Sequence, residues 1–161
     1  MTGPPTSAQS PARRRRRGQA IAEFAVVAPI FFLILFGIID FGRYVYTANA
    51  INNGTREGAR SGSVAVCPTP LCDGLGREDC VKAVVRDRTW GVPANMLTTT
   101  VTCERVAPND STPNTILVSQ CRTNDLLRVH TQATFTLVTP LIAQWLGGQV
   151  IQGEALVTVN Q

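Results

Sequence analysis

The chain offers little with which to do chemistry. Its 161 residues include a single histidine, His130, set between Val129 and Thr131 in a strand-like segment with no nucleophile motif to serve. A structural or surface histidine accounts for it better than a general base. There is no phosphate-cradling glycine loop and no paired-carboxylate pattern, and the acidic residues are scattered. The expectation is a protein that is not an enzyme and uses no cofactor and no metal. Charge is also scarce: from Gln19 to Ile39 the only charged residue is Glu23.

The positive balance that is present, net +4 with a pI near 9.1, does not point to nucleic acid. Residues 1–18 hold five arginines, Arg13 to Arg17, and no acid; residues 19–161 hold ten basic and eleven acidic side chains. Basicity confined to a block before an apolar run is a topology signal.

The apolar run is long enough to cross a bilayer. Its 21 residues extend about 32 Å as a helix at ~1.5 Å per residue. Apolar side chains cover every face from Phe24 to Ile39, which excludes an amphipathic surface helix. Pro29 is tolerated in a membrane span, where freed backbone groups find other partners. Five arginines precede the run and only Asp40 and Arg43 follow it before Arg56. The positive-inside rule therefore predicts a single-pass protein of the cytoplasmic membrane, with its N-terminus in the cytoplasm and everything after Phe41 outside.

Glu23 needs a reason, because a carboxylate in a membrane segment is costly and is usually paired or functional. In one reading it snorkels to the cytoplasmic headgroups. In the other it awaits a cation: cutting the chain after Gly18 would make Gln19 a new α-amine four residues away, on the same chain or on a neighbour.

Beyond the span, Phe41, Tyr44, Ala48, Ile51, Thr55 and Ala59 recur at three- and four-residue steps, predicting that the helix continues as a stalk. Gly54, Gly58 and Gly62 stand four apart; they either admit close backbone approach or merely weaken the helix near its end, by up to ~1 kcal/mol each. Residues 1–12, rich in Pro, Ser, Thr and Gly, read as disordered. Cys67 to Gly76 reads as a loop and Arg77 to Trp90 as a short helix stopped by Gly91 and Pro93. Strands are expected at Thr98–Val106, Thr115–Gln120, Leu127–Thr139 and Gln149–Val159. The fold class is thus α+β: a long transmembrane and stalk helix, a short helix, and a four-stranded antiparallel sheet packed on the long helix. The chain divides into a cytoplasmic leader (1–18), the membrane and stalk helix (19–62) and an extracytoplasmic domain (63–161). Trp90 and Trp145 are expected in the core or an interface.

All five cysteines, Cys67, Cys72, Cys80, Cys103 and Cys121, follow the span, where an oxidising compartment favours disulfides. Cys103 and Cys121 flank the expected hairpin and make the best pair; two of the other three would form a second. Zinc on Cys67, Cys72 and Cys80 is the rival, without a nearby histidine or the usual Cys-x2-Cys knuckle.

Gly18-x4-Glu23-Phe24 ahead of an apolar helix resembles the class III signal of type IV prepilins. More narrowly, three segments together are similar to the TadE-like pseudopilins of tight-adherence (Flp) pilus assembly. They are Gly18-Gln19-Ala20-x-Ala22-Glu23-Phe24-Ala25-x3-Pro29, Gly37-Ile38-x-Asp40-Phe41-Gly42 and Thr55-Arg56-Glu57-Gly58-Ala59-Arg60. The resemblance covers roughly residues 18–62. It implies cleavage between Gly18 and Gln19 by a prepilin peptidase, and subunit alignment through Glu23 and Phe24. It also implies helix packing through Val27, Phe31 and Leu35. Implied partners are other pilins or pseudopilins, an assembly platform with its ATPase, and membrane lipid; the product would be an adhesive surface pilus.

The competing expectation is a secreted or membrane-anchored binding module. Ala48-Asn49-Ala50 offers an Ala-x-Ala signal-peptidase site, although it lies nine residues past Ile39 with Asp40 and Arg43 between. The mature N-terminus separates the routes: Gln19 for a prepilin peptidase, Ile51 for signal peptidase, Met1 or a neighbour for an uncleaved anchor.

Overall fold

A computed structural model of the chain describes residues 12–64, 70–105, 114–139, 144 and 148–160. Two compact units are distinguished, residues 1–39 and Asp40–Gln161. The first consists, where described, of the N-terminal part of helix α1, which runs Ala12–Ser63 with Pro29 inside it. The helix therefore begins at Ala12, one residue ahead of the arginine block, rather than at Gln19. The expected disorder of residues 1–12 falls almost wholly outside the described residues.

The Asp40–Gln161 unit is α+β. After α1 come a 3-10 turn at Pro70–Cys72, helix α2 (Arg77–Arg88), a second 3-10 turn at Ala94–Met96, and strands β1 (Leu97–Arg105), β2 (Asn114–Ile116), β3 (Leu126–Phe135) and β4 (Gln149–Thr158). The sheet is antiparallel throughout in the order β2-β1-β3-β4. On β3 the alternation is strict: Leu127, Val129, Thr131, Ala133 and Phe135 are buried, while Arg128, His130 and Gln132 between them are partly exposed. One face of the sheet is thus the core face, covered by the later turns of α1 and by α2, and the other carries polar side chains.

Among the described residues two larger apolar clusters fill the interior, with a small third one at Cys72, Cys80 and Val84. Ala59 of α1 meets Val81 and Val85 of α2 and Val101, Leu127 and Val129 of the sheet; nearer Asp40, Ile51 meets Ala133, Phe135 and Ile151. The stalk stripe is buried from Ile51 through Thr55 to Ala59, but Phe41 and Tyr44 at its start are exposed. On α2 the inward residues are Cys80, Val81, Val84 and Val85.

Three expectations are corrected. The strand expected at Thr115–Gln120 is only Asn114–Ile116, after which Val118–Gln120 coils into a 3-10 turn that buries Val118 and brings Cys121 to Cys103. The strand expected to reach Thr139 stops at Phe135, opposite Gln149, the first residue of β4; beyond it the amides of Val138 and Thr139 are taken by the carboxylate of Asp40 instead of a strand partner. Trp90 is not in the core but 82% exposed. Trp145 lies outside the described residues.

Candidate functional site

At the N-terminal end, α1 sets Gln19 and Glu23 one turn apart. Gln19 Nε2 donates to Glu23 Oε1 at 3.2 Å, and both side chains are exposed. A β-carbon built on Gly18 meets nothing within 4 Å, so the space beside this residue is open, while the peptide bond after it lies within α1. Phe24, Val27, Phe31 and Leu35 follow at steps of three and four, line one face of the helix, and are all exposed. A helix apolar on every face and, among the described residues of its unit, packed on no other element is suited to lipid or to another apolar helix.

The Thr55–Arg60 box divides its side chains between two tasks. Thr55, Gly58 and Ala59 are buried, and the Thr55 hydroxyl donates to Ile51 O at 2.7 Å. Arg56 and Arg60 face out and, with Asn53, Glu57 and Arg88 of α2, line a shallow basic cleft. The three glycines four apart meet α2 or the sheet at van der Waals range or closer. A β-carbon on Gly54 would lie 2.7 Å from Thr89 Cγ2, one on Gly58 would collide with Val85 Cγ2, and one on Gly62 would lie 2.6 Å from both Leu127 Cδ2 and Val81 Cγ2. Close approach is therefore the reason for this glycine stripe. Gly153 of β4 does the same from the sheet side, where a β-carbon would lie 2.9 Å from Ile51 Cγ2.

Asp40 carries a role that the sequence alone does not reveal. Only 4% exposed, it accepts hydrogen bonds from Val138 N (3.0 Å), Thr139 N (3.0 Å) and Thr139 Oγ1 (2.7 Å), and Arg43 approaches it at 3.3 Å. The first residue after the apolar run is thereby tied to the loop that leaves β3. The available signal was the solitary acid between Ile39 and Phe41, which reads as a topology marker until its distant partners are known.

Three further carboxylates hold the sheet. Asp125 accepts a bidentate pair from Arg105, Nε at 2.9 Å and a terminal nitrogen at 2.6 Å, and a third bond from Arg122 N at 2.7 Å. The Arg105 hydrogen bonds outweigh burial and hold the Asp125 carboxyl below its ordinary value. On the outer face, Arg128 of β3 bridges Glu104 of β1 at 2.8 Å and Glu154 of β4. His130 sits beside it, with Nδ1 3.4 Å from Gln132 Nε2.

Cys103 is joined to Cys121 and Cys72 to Cys80, with Cα atoms 5.9 and 4.8 Å apart. Cys67 lies outside the described residues. Cys103, Cys121 and Asp125 are close enough together to suggest metal ligation. Both sulfurs, however, are committed to a disulfide and the carboxylate to Arg105, so this trio has no ligand atom to give. With Cys72 and Cys80 also bonded to each other, the zinc set Cys67, Cys72 and Cys80 loses two of its three thiolates.

Together these features define a class: an α+β protein with an N-terminal helix long and apolar enough to span a membrane, followed by a disulfide-bonded unit of two helices on a four-stranded antiparallel sheet. Residues 18–60 match the family described as TadE-like protein, 43 of the 161 residues. The match runs from Gly18 through Glu23 and Asp40 to the last arginine of the Thr55–Arg60 box. No curated protein and no solved structure matches the chain.

Proposed function

We propose that this chain is a non-enzymatic pseudopilin or minor pilin that takes part in assembling a tight-adherence pilus. The observation that carries the reading is the coincidence, within the matched residues 18–60, of Gly18 with open space beside it, a lone Glu23 and an apolar helix surface. In this reading a prepilin peptidase at the cytoplasmic membrane face removes the arginine leader after Gly18, and methylation of the new amine follows. Glu23 then pairs with the Gln19 amine of a neighbouring subunit, which neutralises a charge that hydrocarbon would otherwise expel. Phe24, Val27, Phe31 and Leu35 supply apolar contacts as the helix leaves the bilayer for a helical assembly with other pilins. A cytoplasmic ATPase and its membrane platform drive the transfer. The Asp40–Gln161 unit lies outside the membrane, in the compartment where its disulfides form.

The secretory alternative meets a structural obstacle. A cut after Ala50 would remove Ala48 and Tyr44, which pack on the cluster of Ile51, Ala133, Phe135 and Ile151, and Asp40, which binds the amides of Val138 and Thr139.

N-terminal mapping by mass spectrometry of protein from its own membrane tests the proposal. Wild type is expected to begin at Gln19, Gly18→Ala to be cut less completely, and Gly18→Val not at all. Gly18→Val protein that still begins at Gln19 would overturn the prepilin-peptidase step.

A further inference from the structure

The most anomalous side chain in the Asp40–Gln161 unit is Trp90. It lies two residues past the end of α2, is 82% exposed, and is nonetheless held in a defined turn. Thr89 before it is buried, with its hydroxyl on Val85 O at 2.8 Å, and Val92 N closes the turn onto Thr89 O at 3.1 Å. Gly91, third in that turn, has φ of +85°, and a β-carbon there would lie 3.2 Å from Tyr46 Cε1. Glycine alone suits both the backbone and the space. The Tyr46 hydroxyl donates to Trp90 O at 3.2 Å. A large apolar ring is thus presented to the outside on a turn fastened to α1.

The height of that turn is set by chain continuity. The apolar run ends at Ile39, and Tyr46 is seven residues on, about 10 Å along a helix. Helical side chains lean back toward the N-terminus, so the Tyr46 hydroxyl and the Trp90 carbonyl bonded to it fall nearer the Asp40 end of the unit than the Tyr46 Cα does. The polar zone of a bilayer adds roughly 5–8 Å on each side of its hydrocarbon. Phe41 (69% exposed) and Tyr44 occupy the same band of the helix. So does exposed Val138, whose amide is bound by Asp40. Exposed Trp and Tyr at this level are what membrane interfaces select, since the ring body prefers the acyl boundary and the polar edge the headgroups.

We propose that the Trp90 turn, with Phe41, Tyr44 and Tyr46, forms an interfacial collar that seats in the phospholipid headgroup region and holds the Asp40–Gln161 unit against the bilayer surface. This rests on α1 spanning a membrane. On extraction of the helix from the bilayer the collar would have to leave the lipid, so it would favour retention of the subunit in the membrane until assembly begins.

The test uses the full chain reconstituted in phosphatidylcholine vesicles, with and without bromine on the upper acyl chains. Trp145→Phe leaves Trp90 as the single tryptophan, and the difference between wild type and Trp90→Phe gives the same signal with Trp145 kept. The expected result is blue-shifted Trp90 emission, quenched at least twofold by brominated lipid at every protein-to-lipid ratio. Emission typical of water and unquenched, from protein that floats with the vesicles, would overturn the collar while leaving the span intact. A blue shift that grows with protein density and resists quenching would overturn it in favour of contact with a second copy. Protein that does not float with vesicles would remove the membrane reading itself, and the collar with it.

Discussion

Gly58→Ala asks whether the glycine stripe on α1 exists for space or by indifference. A β-carbon at Gly58 would collide with Val85 Cγ2 and lie 3.3 Å from Val81 O and 3.5 Å from Val81 Cγ1. Val81 and Val85 are fully buried in the cluster with Ala59 and Leu127, so neither the side chains nor the carbonyl can give way unless α2 shifts. Alanine gains up to ~1 kcal/mol of helix propensity, whereas overpacking a close-packed core costs about 1–3 kcal/mol. The expected net loss is about 1–2 kcal/mol, or roughly 3–8 °C in Tm for a domain of this size. Gly42, on the same helix with nothing within 4 Å of a built β-carbon, is the control: Gly42→Ala should be neutral or slightly stabilising. Gly58→Leu, which needs the volume held by both valines, should cost more than ~3 kcal/mol. Thermal unfolding of the full-length protein in detergent micelles, followed by near-UV circular dichroism, measures all three. Gly58→Ala at least as stable as wild type would refute the close-approach account and return the glycines to mere helix weakening.

Three further outcomes are expected. Asp125 has a folded-state carboxyl value below its ordinary one, chiefly through the Arg105 hydrogen bonds; its stabilisation is therefore present above the unfolded value near 3.9 and is lost as pH falls through the lower folded value. Asp125→Asn should cost about 1–2 kcal/mol at pH 7, with the gap to wild type closing below about pH 4, and a gap unchanged down to pH 2 would contradict this. Replacing Cys103 and Cys121 by serine opens a crosslink across 18 residues, worth about 3 kcal/mol in the chain-entropy treatment. Peptide mapping without reductant should recover the two cysteines linked, and free thiols there would count against the pairing. Thr131 is fully buried opposite Gly153 with its hydroxyl unpartnered among the described residues, so Thr131→Val should stabilise by up to ~1 kcal/mol, and a measured loss would mean that the hydroxyl has an undetected partner.

Much was legible in the sequence because it rests on local signals. Hydropathy and length mark the span without reference to any contact, since a bilayer reads every face of the helix alike. The 3.6-residue period of Ile51, Thr55 and Ala59 and the two-residue period of β3 are likewise local, so the α+β class and the antiparallel sheet follow from pattern. The Gly18–Glu23 segment is a linear motif, and it coincides with the start of the family match.

Tertiary structure decided what depends on partners distant in the chain. Asp40 meets Val138 and Thr139 across 98 and 99 residues, and β3 ends where its pairing with Gln149 runs out; no local signal announces either. Whether Gly54, Gly58 and Gly62 are spacers or weak points depends on Val81, Val85, Thr89 and Leu127, which only folding brings alongside. Trp90 shows the same limit in reverse: by composition a tryptophan belongs inside, yet the turn fixed by Gly91 and Tyr46 turns it outward. Local propensity and periodicity are written residue by residue along the chain. Register, close approach and exposure are properties of pairs, and a pair exists only once the chain has folded.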